Sequence, residues 1–269
     1  MFKIREEIPY WKTLICGAAC VLFCLSVWWY ATRGENEERL LSPLVLTSPS
    51  ETLATFPSLW FDRALTRNFA ASLWRVCLGF ALAAVVGVTL GVLCGCFTRI
   101  EAFFLPVTLF GRNAPLAAVI PLTFALFGIG EAQKILFIFI ACVAFVMVDA
   151  TQAIKDVGGH YVDTAYTLGA SRWQVISKVL FPLALPSIFN SLRVLFGIAF
   201  GYIMLVESVQ LEGEAGGLGQ IINLSQRRGP KAHTILVLLL IPLIAYAIDR
   251  SLLWVQCQIF SHRNGRGGA

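Results

Sequence analysis

The stretch DTAYTLGASRWQVISKVLFPLALP, residues 163–186, decides the fold because it interrupts a chain that is otherwise mostly apolar. Just before it, Lys155-Asp156-Val157-Gly158-Gly159 predicts a break. A short amphipathic helix is expected from Tyr161 to Leu168. Gly169 predicts where that helix ends, because glycine accepts the left-handed conformation that a helix C-terminus often takes. Ala170-Ser171 opens a second helix, with Ser171 as its N-cap. Trp173, Val175, Ile176, Val179 and Leu180 give this helix an apolar face. Pro182 and Pro186 are expected to bracket its end and turn the chain back at Ile188. The product is a helix–glycine–helix elbow with few charges and a small apolar surface, suited to a groove on a partner.

Around the elbow, the composition is that of a membrane protein. The 269 residues are 57% hydrophobic and only 14% charged, where a soluble domain has about 25% charged residues. A bilayer core takes roughly 20 apolar residues per helix. Six spans are predicted, at about 13–31, 70–97, 103–127, 132–150, 187–207 and 233–256. The expected fold class is an all-α membrane protein, one transmembrane domain over 1–269 with its core at 70–256 and the loop at 156–187. Residues 14–31 are expected to stay as a span, since Thr32-Arg33-Gly34-Glu35 follows rather than a small-x-small cleavage site. Residues 1–12 mix Phe2, Ile4, Ile8 and Trp11 with Lys3, Arg5 and Lys12, and predict an interfacial helix. The longest polar segment is 32–69. Ser48-Pro49 reads there as a helix cap, and Leu53, Phe56, Leu59, Trp60 and Ala64 fall on one face of a helix expected on the bilayer surface.

The second span repeats small residues every four positions: Gly79, Ala83, Gly87, Gly91 and Gly95. That spacing predicts a seam for close helix packing rather than a binding loop. The eight cysteines lie almost all in apolar segments without metal spacing and read as small apolar fillers. No metal site is expected, and His160, His233 and His262 are far apart. The net charge of +5 is dispersed and gives no nucleic-acid signature. Apart from Arg112 and Arg193, Lys and Arg are nearly tied, ten on the N-terminal side of the membrane against nine, Arg75 and Lys134 among them, on the other, so charge does not orient the chain.

The residues of the elbow resemble the cytoplasmic coupling loop of permease subunits of bacterial binding-protein-dependent ABC importers. That motif runs Glu-Ala-Ala, three residues, Gly, nine residues, Ile-x-Leu-Pro. Asp163-Thr164-Ala165, Gly169 and Leu183-Ala184-Leu185-Pro186 occupy its positions, with Asp for Glu and Thr for the first Ala. LTSPSETL (46–53), SLWRVCLGFALAAVVGVTLGVLCG (72–95), PLAAVIPLTFALFGIGEAQKI (115–135), Glu207 and GGLGQII (216–222) are similar to the nitrate/sulfonate/taurine permeases. The resemblance implies the type I importer fold, with interfacial helices and a cytoplasmic coupling helix. It implies two permease copies, a homodimer being usual, and a cytoplasmic ABC ATPase dimer that binds ATP and Mg. It also implies a periplasmic or lipid-anchored solute-binding protein. The chain would sit in the bacterial inner membrane among lipid, with both termini cytoplasmic and 32–69 periplasmic. Tyr161, Asp163, Thr164, Ala165, Leu168, Gly169 and Ala170 would couple to the ATPase.

No G-x-x-x-x-G-K-[ST] loop is present, so no cofactor is expected on this chain and no catalysis by it. The glycine-rich 212–219 lacks a lysine and reads as a re-entrant or gating element near the outer mouth. Charges at membrane depth are functional candidates. Arg112 lies roughly 13 Å into the third span at 1.5 Å per residue. With Asn113 and Pro115, which can open the backbone, it either lines a path favouring an oxyanion, pairs with Asp149, or snorkels. Asp149 and Arg193 are expected to pair. Glu207 serves an outer gate, meets a binding protein, or is a solvated helix end. Substrates implied by the resemblance are nitrate, bicarbonate, taurine or alkanesulfonate. A self-sufficient secondary transporter or channel is the alternative, but it would call for several intramembrane carboxylates or an inverted repeat, and neither is visible.

Overall fold

The computed structural model describes residues 9–34, 39, 41–42, 45–209, 216–228 and 231–259. Helix is the only regular structure among the described residues. The chain divides into two units, Met1–Ala64 with Leu224–Leu239 and Leu65–Asn223 with Leu240–Ala269.

In the first unit, α1 (Tyr10–Thr32) is a candidate span whose apolar window is left unburied by the chain itself. The interfacial helix expected over 1–12 falls largely on residues 1–8, outside the described residues. Trp28 donates its indole N–H to the Thr47 carbonyl at 3.0 Å. Ser48 caps α2 (Pro49–Ala54) through a capping box with Glu51, as Ser-Pro predicts. Arg39 binds Glu51 at 2.8 Å. Arg39 and the Ser48 N–H together hold the Glu51 carboxyl down at about 2. The single surface helix expected through Leu53, Phe56, Leu59, Trp60 and Ala64 is not formed. Instead α2, α3 (Phe56–Phe61) and the start of α4 follow one another. Pro57 cannot donate the N–H that a continuous helix would use, and Ala64 sits at φ +46.

The second unit opens with α4 (Leu65–Cys96), then α5 (Thr98–Asn113), α6 (Leu116–Phe127) and α7 (Glu131–Lys155). The small-residue stripe is a packing seam. A methyl group at Gly91 would lie 2.5 Å from the Met147 carbonyl oxygen and 2.6 Å from the Ala150 Cβ. At Gly79 it would lie 2.5 Å from the Ile135 carbonyl oxygen. Thr151 donates across the seam to the Gly91 carbonyl at 3.1 Å. The span expected to run through 103–127 is broken instead: α5 and α6 meet at 106°. Pro115 forces the preceding Ala114 into extended geometry, φ −65 and ψ 130.

Beyond α7 come α8 (Gly159–Thr167) and α9 (Arg172–Val175), a π-helical turn over Ile176–Leu180, and α10 (Phe181–Ser208). The last three form one 37-residue helix, Arg172–Ser208. The prolines therefore do not end the elbow's second helix, contrary to expectation. A proline ring clashes with the carbonyl four residues back and offers it no N–H. Just upstream of Pro182 the helix widens, and the Phe181 N–H reaches the Ile176 carbonyl five residues back. The prolines are absorbed by this π turn rather than by termination. Ala150, Ala153 and Ile154 of α7 pack with Ala184 and Ile188 of α10 and root the elbow.

The chain continues with α11 (Leu218–Arg228) and α12 (Lys231–Ile259). Among the described residues, five helices are long and apolar enough to cross a membrane: α1, α4, α7, Arg172–Ser208 and α12; the bent α5–α6 pair makes six when counted as one span. Arg193 pairs with Asp249 at 3.0 Å rather than with Asp149. Asp149 instead lies near the Ser191 hydroxyl and feels the charge of Arg112. Asp249 lies in an apolar helix with no motif around it, so the sequence did not single it out.

Candidate functional site

Two constellations stand at opposite ends of α7. The first is the elbow. Gly169 lies at φ +81. Its N–H bonds the Tyr166 carbonyl at 2.9 Å, and the Ala170 N–H bonds the Ala165 carbonyl at 3.0 Å. These two bonds form a Schellman closure of α8, with glycine in the left-handed position. Ser171 then opens α9 through a capping box with Gln174. The turn is thus fixed by local chemistry on both sides. Ala165 and Val175 are buried, while Asp163 and Thr164 are exposed and Ala170 is half-buried. The apolar side chains left outside are Tyr161, Tyr166, Trp173 and above all Leu168, 82% exposed. So the predicted elbow residues come together on one compact projection.

The second constellation was not expected from the sequence. Arg75 of α4 is 1% exposed and serves two carboxylates. Its Nε and Nη2 donate to the two oxygens of Glu131, each at 2.6 Å. Its Nη1 donates to Glu207 at 2.6 Å and to the Gly216 carbonyl at 2.8 Å. Glu207 is 0% exposed, so it is not a solvated helix end. Its oxygens accept from the Ser72 hydroxyl at 2.8 and 2.9 Å and from the Gly219 N–H at 3.0 Å. Ser72 accepts the Leu218 N–H at 3.0 Å, and Asn68 accepts the Gly217 N–H at 2.6 Å. Lys134, itself buried, reaches Glu131 at 3.3 Å. Four helices meet here, and the first two N–H groups of α11, on Leu218 and Gly219, are filled by side chains. Of the loop expected over 212–219, residues 212–215 lie outside the described residues. A signal was present in the sequence: Ser72 and Arg75, and Glu131 and Lys134, are each one helical turn apart in apolar surroundings. Counted by position alone, Arg75 and Lys134 fall among the nine charges on the outer side.

Arg112 belongs to neither constellation. It is exposed, with its guanidinium 5.7 Å from the Phe145 ring. It borders a cavity of about 190 Å³ shared with Glu101, Thr108, Thr151, Gln152 and Lys155. Asn113 donates back to the Leu109 carbonyl at 2.8 Å, and Pro115 caps α6. Along α7, Phe145 is about 21 Å from Glu131 at 1.5 Å per residue, so Arg112 and Glu207 form no common site.

A bundle of long apolar helices carrying a rigid projecting elbow is the architecture of a type I ABC importer permease. It is shared with the inward-facing MetNI methionine ABC transporter, at TM-score 0.66 and 23% identity over 76% of this chain and 98% of that one. It is shared too with an amino acid ABC transporter with histidines, at TM-score 0.64 and 14% identity over 79% and 100%. The chain belongs to the family of binding-protein-dependent transport system inner membrane components, whose model matches residues 87–253. It is 34% identical to the taurine transport system permease protein TauC of Escherichia coli (strain K12), over 82% of this chain and 79% of that protein. It is 28% identical to the bicarbonate transport system permease protein CmpB of Synechococcus elongatus, over 85% and 83%. The nitrate import permease protein NrtB of Synechocystis is also 28% identical, over 92% and 90%. The chain is thus a multi-pass transport subunit.

Proposed function

We propose that this chain, acting as one permease domain over 1–269, imports a small anion or sulfonate-like solute of the nitrate, bicarbonate, taurine or alkanesulfonate class. A separate cytoplasmic ATPase dimer binds the ATP and Mg and drives the cycle. Two permease copies form the path, and an external solute-binding protein delivers the cargo. Both termini and the 156–187 loop face the cytoplasm, and 32–69 faces outward. The projecting elbow carries this reading: its apolar tip is exposed, while its root is packed into α7 and α10. Tyr161, Asp163, Thr164, Ala165, Leu168, Gly169 and Ala170 seat in the ATPase. Closure of the ATPase on ATP then moves two elbows together and rocks the bundle between two packed arrangements. Arg112, Asn113 and Pro115 line the path, where a guanidinium favours an anion, and Glu207 serves the outer gate.

The test is reconstitution of the chain with its ATPase and binding protein in liposomes, with uptake of labelled taurine, nitrate and bicarbonate measured. ATP-dependent uptake of one of them is expected. Uptake indifferent to ATP, or an ATPase that does not bind, would refute the reading.

A further inference from the structure

The two carboxylates on Arg75 are not equivalent. Glu131 is half exposed and also bound by Lys134, so it keeps a cation when Arg75 turns away. Glu207 is wholly buried, and its ion pair is with Arg75. Should Glu207 withdraw toward water, Arg75 would still hold Glu131 through its two-pronged contact. The Arg75–Glu207 bond can therefore open without stranding a buried cation. A buried ion pair contributes little net stability compared with apolar packing but suits a contact with two settings.

The helices on either side of that bond are also held differently. The α4–α7 pair cannot part easily, because backbone and side chains meet along the glycine seam from Gly79 to Gly95. Glu207 lies on α10, which meets α4 through side chains, in the Phe69–Phe200 and Phe80–Phe196 ring contacts, rather than along a backbone seam. It ends the helix Arg172–Ser208 that starts at the elbow, and it receives the Gly219 N–H at the head of α11. A helix of 37 residues is about 55 Å long, and a tilt of about 5° moves its far end by about 5 Å. That displacement exceeds the 2.6 Å reach of the ion pair.

We infer that Arg75 is the positioning residue of a latch. Its bond to Glu207 docks the head of α11 on the α4–α7 pair, and the transport cycle breaks and re-forms that bond while Arg75 keeps Glu131. The inference rests on the ATP-driven cycle proposed above.

The test uses the double variant Ser72→Cys with Leu218→Cys in the whole complex with its ATPase. Ser72 Oγ lies 3.0 Å from the Leu218 nitrogen, which brings the two Cα atoms within disulfide range. Oxidation with copper phenanthroline is followed without nucleotide and after trapping with ATP and orthovanadate. The wild type, with its eight cysteines, and each single variant serve as controls. Crosslinking is expected to be fast without nucleotide and about tenfold slower in the trapped state. Arg75→Gln should abolish this difference, and Arg75→Lys should restore part of it. Equal rates in complexes shown to have trapped nucleotide would overturn the latch, as would no crosslink in either state. A complex that traps no nucleotide would instead remove the cycle itself.

Discussion

Replacing Gly91 with alanine tests the seam that makes α4 and α7 one body. The new methyl group would stand 2.5 Å from the Met147 carbonyl oxygen and 2.6 Å from the Ala150 Cβ. Comfortable carbon contacts lie at about 3.5–4.0 Å, so the helices must separate locally by about 1 Å. A backbone oxygen cannot swing aside as a side chain would. Overpacking of this kind costs about 1–3 kcal/mol. Alanine's better helix propensity returns about 0.5–1 kcal/mol. The net loss is then about 0–2.5 kcal/mol, centred near 1 kcal/mol, a factor of about 5 in the folded-to-unfolded ratio. Gly201→Ala is the matched control, because nothing lies within 4 Å of a methyl group there. It should gain the propensity and pay no clash, and so be neutral or slightly stabilised. Equilibrium unfolding of the purified subunits in mixed micelles of rising denaturing detergent compares the two. If Gly91→Ala were as stable as Gly201→Ala, close packing at the seam would be disproved.

Three further outcomes are expected. Leu168→Asp should leave thermal stability unchanged, since Leu168 is 82% exposed, yet reduce ATPase co-purification about tenfold or more, because an apolar anchor is replaced by a charge; unchanged co-purification counts against the elbow as the docking element. Arg112→Gln should abolish anion uptake in a complex that still assembles and hydrolyses ATP, as measured with labelled nitrate or taurine in liposomes, and normal uptake would remove Arg112 from the path. The Glu51 carboxyl, followed by carbon-13 NMR, should titrate at about 2 rather than the ordinary 4.5. Because its folded value is depressed, its contribution to α2 is complete above 4.5 and fades as pH falls toward about 2; titration near 4.5 would show that Arg39 and Ser48 do not hold it.

Much of this architecture could be read from local chemistry. Gly169 and Ser171 specify their cap and turn almost alone, because the left-handed backbone and the capping hydroxyl act within a few residues. The four-residue spacing of Gly79, Ala83, Gly87 and Gly91 announced a close helix pair, although not which helix would fill it. What stayed hidden depends on distant partners. Arg75 and Glu207 are 132 positions apart, and each alone looked like a charge at a membrane boundary. The Arg193–Asp249 pair escaped for the same reason. Pro182 and Pro186 misled because the rule that proline stops a helix ignores the π turn that absorbs the lost bond. Pro115 followed that rule, since there the preceding Ala114 turned extended and the span broke.

The corner between α5 and α6 limits what can surround this chain. Where a helix stops at Asn113 and another starts at Leu116 at 106°, the last carbonyls of one and the first N–H groups of the next lose their helical partners. Acyl tails offer such groups nothing, and each group left bare in hydrocarbon costs several kcal/mol. Water or protein must therefore occupy that flank, so the annulus of lipid around the molecule is incomplete there.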